Sequence, residues 1–206
     1  MQVAIERFDP ARHDSATVAR LIYQADPSLM RFVLGAEDEA VPVLTALVEM
    51  EHNDYSGRYV RCAVDETGEV VGIAAGLTGA ERRAATRLRG REWGRALGAR
   101  RMLRAMRWGS KLESVATTEV ADDEFYLSAL TVDERHRGGG VGSALLSSVT
   151  AEHPVVITDV NITKNDALRF YRRHGFEVER EMTFVHKGDA LGNFQIRRDA
   201  RAAGAG

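Results

Sequence analysis

Glu124-Phe-Tyr-Leu-Ser-Ala-Leu-Thr-Val-Asp-Glu-Arg-His-Arg-Gly-Gly-Gly-Val-Gly-Ser-Ala-Leu-Leu146 carries an apolar strand into a loop with three consecutive glycines, and a helix pattern begins at once. A strand–loop–helix junction of this kind presents backbone N–H groups that have no partner inside the helix, at the positive end of its dipole. Glycines let that backbone approach a bulky anion, so the segment reads as a phosphate cradle, with Arg137 adding a full positive charge at its entrance. A bare glycine cluster is more often a flexible turn; the strand before this one and the apolar helix after it reverse the balance. Several phosphate and nucleophile motifs are excluded. No lysine follows the glycines as a Walker loop requires. A dinucleotide fingerprint needs glycine or alanine where Leu145 or Ser143 stands. A nucleophile elbow needs a glycine two residues ahead of Ser143, and Gly142 precedes it directly. What remains is an Arg-x-x-Gly-x-Gly loop, Arg137 to Gly142.

Working outward, the spacing predicts further elements on both sides. Val3 to Phe8 reads as a strand, and Asp14 or Ser15 caps a helix with Val18, Leu21, Ile22 and Ala25 on one face. Short helices follow over Pro27–Leu34 and Glu37–Glu51. Tyr59–Val64 and Val70–Leu77 flank the turn Asp65–Glu69 as a hairpin. Beyond the glycine loop come a helix over Gly140–Thr150, a strand over Val155–Val160, a helix over Asn165–Arg173, a strand over Phe176–Val185 and a last strand over Asn193–Arg198. A hairpin followed by alternating strands and helices predicts a mixed sheet with helices on its faces, an α/β or α+β architecture.

The chain has 206 residues, 44% hydrophobic and 28% charged, with a formal net charge of −2, which fits one globular domain and argues against disorder. No window approaches a membrane span, and the amino terminus shows no export signal, so a cytoplasmic protein is expected. One cysteine, Cys62, excludes an intramolecular disulfide and a cysteine-rich zinc module. Six histidines without ligand spacing give no reason to expect a metal. The small net charge hides a segregation. Between Glu81 and Lys111 stand eleven bases against two acids, net +9, while the remaining chain holds seventeen bases against 28 acids, net −11.

Leu130–Leu146 resembles the coenzyme A pyrophosphate loop of the GNAT superfamily of acyl-CoA-dependent N-acyltransferases. Asn165-Asp-Ala-Leu-Arg-Phe-Tyr-Arg-Arg-His-Gly-Phe176 resembles the family's following helix, with Ala167, Tyr171, Gly175 and Phe176 in register. Lys164 holds the place of the family's asparagine, and Asn165 comes one residue later. The resemblance implies a mostly antiparallel sheet of six to seven strands, splayed where the coenzyme binds. It implies one N-acyltransferase domain over residues 1–198, with 79–122 a basic helical insertion between the third and fourth strands and 199–206 a flexible tail.

The resemblance also implies a site. Arg137, Gly138, Gly139, Gly140, Val141, Gly142 and Ser143 would hold the pyrophosphate of acetyl-CoA, the acyl-donor co-substrate. The pantetheine arm would lie beside Leu130, Thr131 and Val132, with Asn165 on the opposite lip. Tyr171 stands at the family's general-acid position, and Glu124, at the head of the strand, is the candidate base. Each has a plain rival: Tyr171 as a packing aromatic, Glu124 as a solvated strand-end carboxylate with Tyr126 in its stead, Asn165 as a helix cap. Cys62, in an apolar strand, reads as a structural thiol and not as the carrier of a covalent acyl-enzyme.

The activity expected is acetyl transfer from acetyl-CoA to a primary amine, on a small molecule or a peptide, by direct attack in a ternary complex. Two other readings stand beside it: a non-catalytic acyl-CoA-binding regulatory module, and a nucleic-acid-associated protein using the arginine-rich block. For that block, the sequence leaves three roles open. A helical elaboration would pack Ala99, Met102, Leu103 and Met106, with Trp93 or Trp108, on the body or against a second subunit, which would make a homodimer. Otherwise it forms an electropositive lid, or a surface for nucleic acid or anionic membrane.

Overall fold

The computed structural model describes residues 2–85, 90–98, 117, 119–186 and 189–203. Its strands are β1 (Ala4–Arg7), β2 (Val60–Val64), β3 (Val70–Thr78), β4 (Phe125–Val132), β5 (Val155–Asn161), β6 (Glu177–His186) and β7 (Asp189–Asp199). Its principal helices are α1 (Ser15–Ala25), α2 (Pro27–Leu34), α3 (Glu37–Val48), α4 (Val141–Glu152) and α5 (Asn165–Arg173). The seven strands form one sheet in the order β1-β2-β3-β4-β5-β7-β6. Every pairing is antiparallel except β4 with β5. The expected mixed, mostly antiparallel α/β fold with helices on both faces is the observed one.

Local chemistry sets the element ends. Asp14 caps α1, its carboxylate accepting from Thr17 N at 2.8 Å. Asp26 ends that helix and starts the next, accepting from Leu29 N at 3.2 Å, with Pro27 in the first helical position where its missing N–H is no loss. In the β2–β3 turn the Asp65 carboxylate collects Thr67 N and Glu69 N, and Gly68 takes the left-handed φ of +88° that closes it.

The sheet divides the core in two. On one face α1, α2 and α3 pack Ile22, Leu44 and Leu47 against Val60, Cys62, Ile73 and Ala75. On the other, α4 and α5 pack Leu145, Leu146, Val149 and Tyr171 against Val71, Ala74, Phe125 and Leu127. All eight residues of β3 from Val70 to Leu77 are buried, as a central strand covered on both faces must be. Gly76 is required there: a Cβ would lie 2.4 Å from the Phe125 ring and 2.5 Å from the Tyr126 carbonyl oxygen.

Two features of β4 position the cleft. Its register against β3 shifts between Ala75 and Gly76, so that Gly76 faces Leu127, Ala75 faces Ala129, and Ser128 is the extra residue of a bulge. Leu127 and Leu130 therefore serve the same face of the sheet although three apart. Against β5 the ladder holds only from Phe125–Val156 to Leu127–Thr158. Past that pair the strands separate, and the edge of β4 from Ser128 to Val132 turns toward a cleft.

The insertion is rooted by its own first residues. Thr78 and Glu81 form a capping box, with Glu81 Oε2 accepting from Thr78 N at 2.8 Å, and residues 79–85 are helical. Gly79 N donates to Glu124 O, and Ala80 N to Asp122 O, closing the base of the excursion. Residues 90–98 are also helical, and Trp93, Ala96 and Leu97 pack on the α1–α3 core. The expected apolar face from Ala99 to Met106, with Trp108, lies outside the described residues. At the carboxyl end, residues 200–203 continue as a helical turn, with Ala200 N donating to Pro154 O and Arg201 paired to Asp123. Residues 204–206 lie outside the described residues.

Candidate functional site

A cleft of about 1220 Å³ runs from the glycine loop, along the freed edge of β4, to the region between α1, the 52–55 loop and β5. At one end lies the loop. Gly138 and Gly140 adopt φ of +80° and +83°, a conformation that favours glycine. A Cβ on either would point into open space, so their lack of a side chain leaves the backbone bare rather than relieving a clash. Gly140 caps α4 with no side-chain bond, which leaves the first amides of that helix facing the cleft. Arg137 is oriented by a bond from its Nε to Val132 O at 3.1 Å. His136, held near Asp133 at 3.6 Å, also lines this end.

The middle is the edge of β4 opposite the start of α5. Leu130, Thr131, Val132, Val141, Gly142, Ser143 and Asn165 all line the cleft. Asn165 is not a cap: Lys164 takes the cap position, without a side-chain capping bond. Lys164 sends its ammonium across the cleft to the Ala25 carbonyl at 2.6 Å. That oxygen belongs to the last turn of α1, where carbonyls lack helical partners and a cation is favourable.

The deep end holds the titratable groups. Tyr171 projects from α5 and is 7% exposed, edge-on to Phe176 at 5.1 Å between centroids. Burial pushes its phenol well above the ordinary tyrosine range, opposed by a hydrogen bond with Thr158. Thr158 in turn donates to Leu127 O at 2.7 Å, at the last rung before the strands part. Nearby, Tyr126 donates to Asp159 Oδ2 at 2.9 Å; burial first, and the Asp159 charge second, push its phenol well above the usual value. Asp159 also accepts from Thr117 N at 2.8 Å and Thr117 Oγ1 at 2.6 Å. Arg82 stacks its guanidinium over the Tyr126 ring at 4.6 Å.

Of the residues singled out in the sequence, two stand elsewhere. Glu124 is not on the cleft: one carboxylate oxygen bonds Arg197 at 2.7 Å and the other accepts from Ala121 N at 2.9 Å. It closes the base of the excursion between β3 and β4 against β7. Gly139 also lies off the cleft wall, its Cβ direction facing His136 O at 3.7 Å. Cys62 is fully buried, and burial pushes its thiol up to about 12, which suits a packing role. Among the described residues no group of three or more His, Cys, Asp or Glu side chains is placed to hold a metal. Asp159 was missed, although a carboxylate inside the apolar run Val155-Val-Ile-Thr-Asp-Val160 is a visible signal.

A sheet parted between two parallel strands, over a glycine loop that opens a helix, is the architecture of acyl-CoA-dependent acyltransferases. Residues 109–178 match the family profile described as "Acetyltransferase (GNAT) domain". An N-acetyltransferase from Staphylococcus aureus Mu50 superimposes with a TM-score of 0.71 at 17% identity, over 94% of this chain and 99% of that one. The structure described as histone acetyltransferase HPA2 and related acetyltransferase from Corynebacterium glutamicum ATCC 13032 gives 0.62 at 20% identity, over 97% of each chain. No curated protein matches by sequence. These likenesses show a shared fold, and within it residues 109–178 match the GNAT acetyltransferase profile.

Proposed function

We propose that the protein is an N-acetyltransferase that moves the acetyl group of acetyl-CoA to a primary amine of a small molecule or a peptide, by direct attack in a ternary complex. The observation that supports this reading is the parting of β4 from β5 after the Leu127–Thr158 rung. It frees a strand edge between a bare-backbone anion cradle and a buried tyrosine hydroxyl, the three features a thioester donor requires.

In this reading the amides of the Arg137–Ser143 loop and the Arg137 charge hold the diphosphate, while the pantetheine pairs with the Ser128–Val132 edge. Backbone N–H groups near Ala129 and Leu130 face the thioester carbonyl and stabilise the oxyanion formed on attack. A free amine has a pKa of about 10.4, so that about one molecule in a thousand or fewer is nucleophilic at pH 7. As Tyr126 takes a proton from the attacking amine it passes its own proton along its hydrogen bond to Asp159, so the phenol stays neutral and the carboxylate holds the proton. As the tetrahedral intermediate collapses, the C–S bond breaks and Tyr171 gives its proton to the departing thiolate. Its elevated pKa keeps it protonated at neutral pH, as a donor must be. The single domain over residues 1–198, with 79–122 inserted, is part of the same proposal: Trp93, Arg82 and Thr117 of the insertion pack on the body or reach the cleft.

Incubation with acetyl-CoA and a panel of amines, read as release of free coenzyme thiol, tests the reading. Amine-dependent release is the expected result. Tight acetyl-CoA binding with no release for any amine, unaltered by Tyr171→Phe, would instead favour a non-catalytic acyl-CoA-binding module.

A further inference from the structure

Behind the anion cradle lies a polar pair that the mechanism does not use. Ser143 is the third residue of α4, on the cleft wall. Its Oγ stands 3.1 Å from Nε2 of His174, which follows the last residue of α5. The other ring nitrogen, Nδ1, lies 2.9 Å from Phe170 O. A carbonyl oxygen only accepts, so Nδ1 carries hydrogen; in a neutral imidazole Nε2 is then an acceptor and Ser143 must donate to it. The ring is held in that pose by Phe170, 4.5 Å away between centroids, whose edge also lies 3.7 Å from the Cβ direction of Gly142.

We propose that His174 is a positioning residue that decides which way the Ser143 hydroxyl points, and so couples phosphate binding at the α4 amino terminus to uptake of a proton. This rests on reading the loop as a coenzyme A cradle. With His174 neutral, the serine hydrogen is committed backward and only oxygen lone pairs face an incoming phosphate. With His174 protonated, Nε2–H donates to Oγ, and the serine hydrogen is released toward the anion. The imidazolium also adds a positive charge one side chain behind the cradle. The charged groups around it act in the same sense. Arg172 and Arg173 precede it on α5, and Arg198 of β7 lies 3.9 Å from the Cβ direction of the next residue, Gly175. Arg137 and His136 stand on the loop ahead of α4. Among the acids, Asp166 is engaged by Arg169, Asp133 by Arg135, Glu152 of α4 by Arg61 and Asp199 of β7 by Arg197, while Glu134 stands exposed on the loop.

The test measures the dissociation constant of 3′-dephospho-coenzyme A, a probe without a titrating phosphomonoester, between pH 5.5 and 8. Wild-type affinity is expected to rise about tenfold on acidification, the scale of one hydrogen bond to a charged group. Ser143→Ala and His174→Phe should each flatten the profile. His174→Gln, whose amide supplies a permanent donor toward Oγ, should bind about as tightly at pH 8 as wild type does at pH 5.5. A His174→Phe profile as steep as the wild-type one would overturn the proposal, as would a His174→Gln protein no tighter than wild type at pH 8. Failure of every folded variant to bind at any pH would instead remove the cradle reading on which the proposal stands.

Discussion

The two ends of the cleft are made of different material. The end at Arg137–Ser143 is main chain: two glycines at positive φ, the amides of α4, and the exposed edge of a bulged strand. The end at Tyr126 and Asp159 is side chain, assembled from β4, β5, α5, the 52–55 loop and the insertion. A backbone site recognises something invariant, since every chain of this kind has the same amides to offer. A side-chain site is free to change, and here five separate segments contribute to it. On the proposed function, that contrast puts a common donor at the first end and a particular acceptor at the second.

The strongest way to break this contrast is at Gly140. Gly140→Val forces a β-branched residue into φ near +83° and fills the open space above the loop, so acetyl-CoA affinity should fall at least a hundredfold while α4 persists by circular dichroism. Unchanged calorimetric affinity would show that the loop is not the donor site. Next in size, Tyr171→Phe should lower kcat ten- to a hundredfold with little change in acetyl-CoA affinity. Because the phenol pKa is raised, kcat should also show no alkaline fall from this group below pH 10. Asp159→Asn should reduce kcat/KM for the amine about tenfold while sparing donor binding, whereas Glu124→Gln should stay within about twofold of wild type. Equal losses in that pair would undo the reassignment of the base.

The smallest effect belongs to a control outside both ends. Arg61 grips Glu152 through two bonds of 2.8 and 2.5 Å and holds its carboxyl down to about 2. A depressed carboxyl contributes stability above its unfolded value near 4.5 and loses it as pH falls toward 2. Arg61→Met should therefore narrow the difference in melting temperature between pH 6 and pH 3 by a few degrees, with kinetics at neutral pH unchanged.

The strand–loop–helix junction at Arg137–Ser143 was legible in the sequence because it is local. Arg137 to Ser143 is one uninterrupted segment between a strand and a helix, whereas Tyr171 was joined to it only through the resemblance of the following helix. The element order was legible for the same reason: helix and strand periods are short-range signals, and they located α5 at its observed ends. The acceptor end was not, because its members meet only through the sheet. Thr117 and Asp159 are 42 residues apart, and Glu92 of the insertion braces the 52–55 loop across 39 residues by bonding Asn53 at 2.8 Å. Glu124 shows the converse failure. Its place at the head of the strand was read correctly, but its partner Arg197 comes from β7, a long-range ion pair that no local pattern announces.

The Lys164 ammonium, resting on the Ala25 carbonyl, puts a crossbar over the groove between α1 and α5. That one contact fastens the start of α5 to the end of α1, so two walls of the cleft that lie 139 residues apart in the chain are held at a fixed separation by a single side chain.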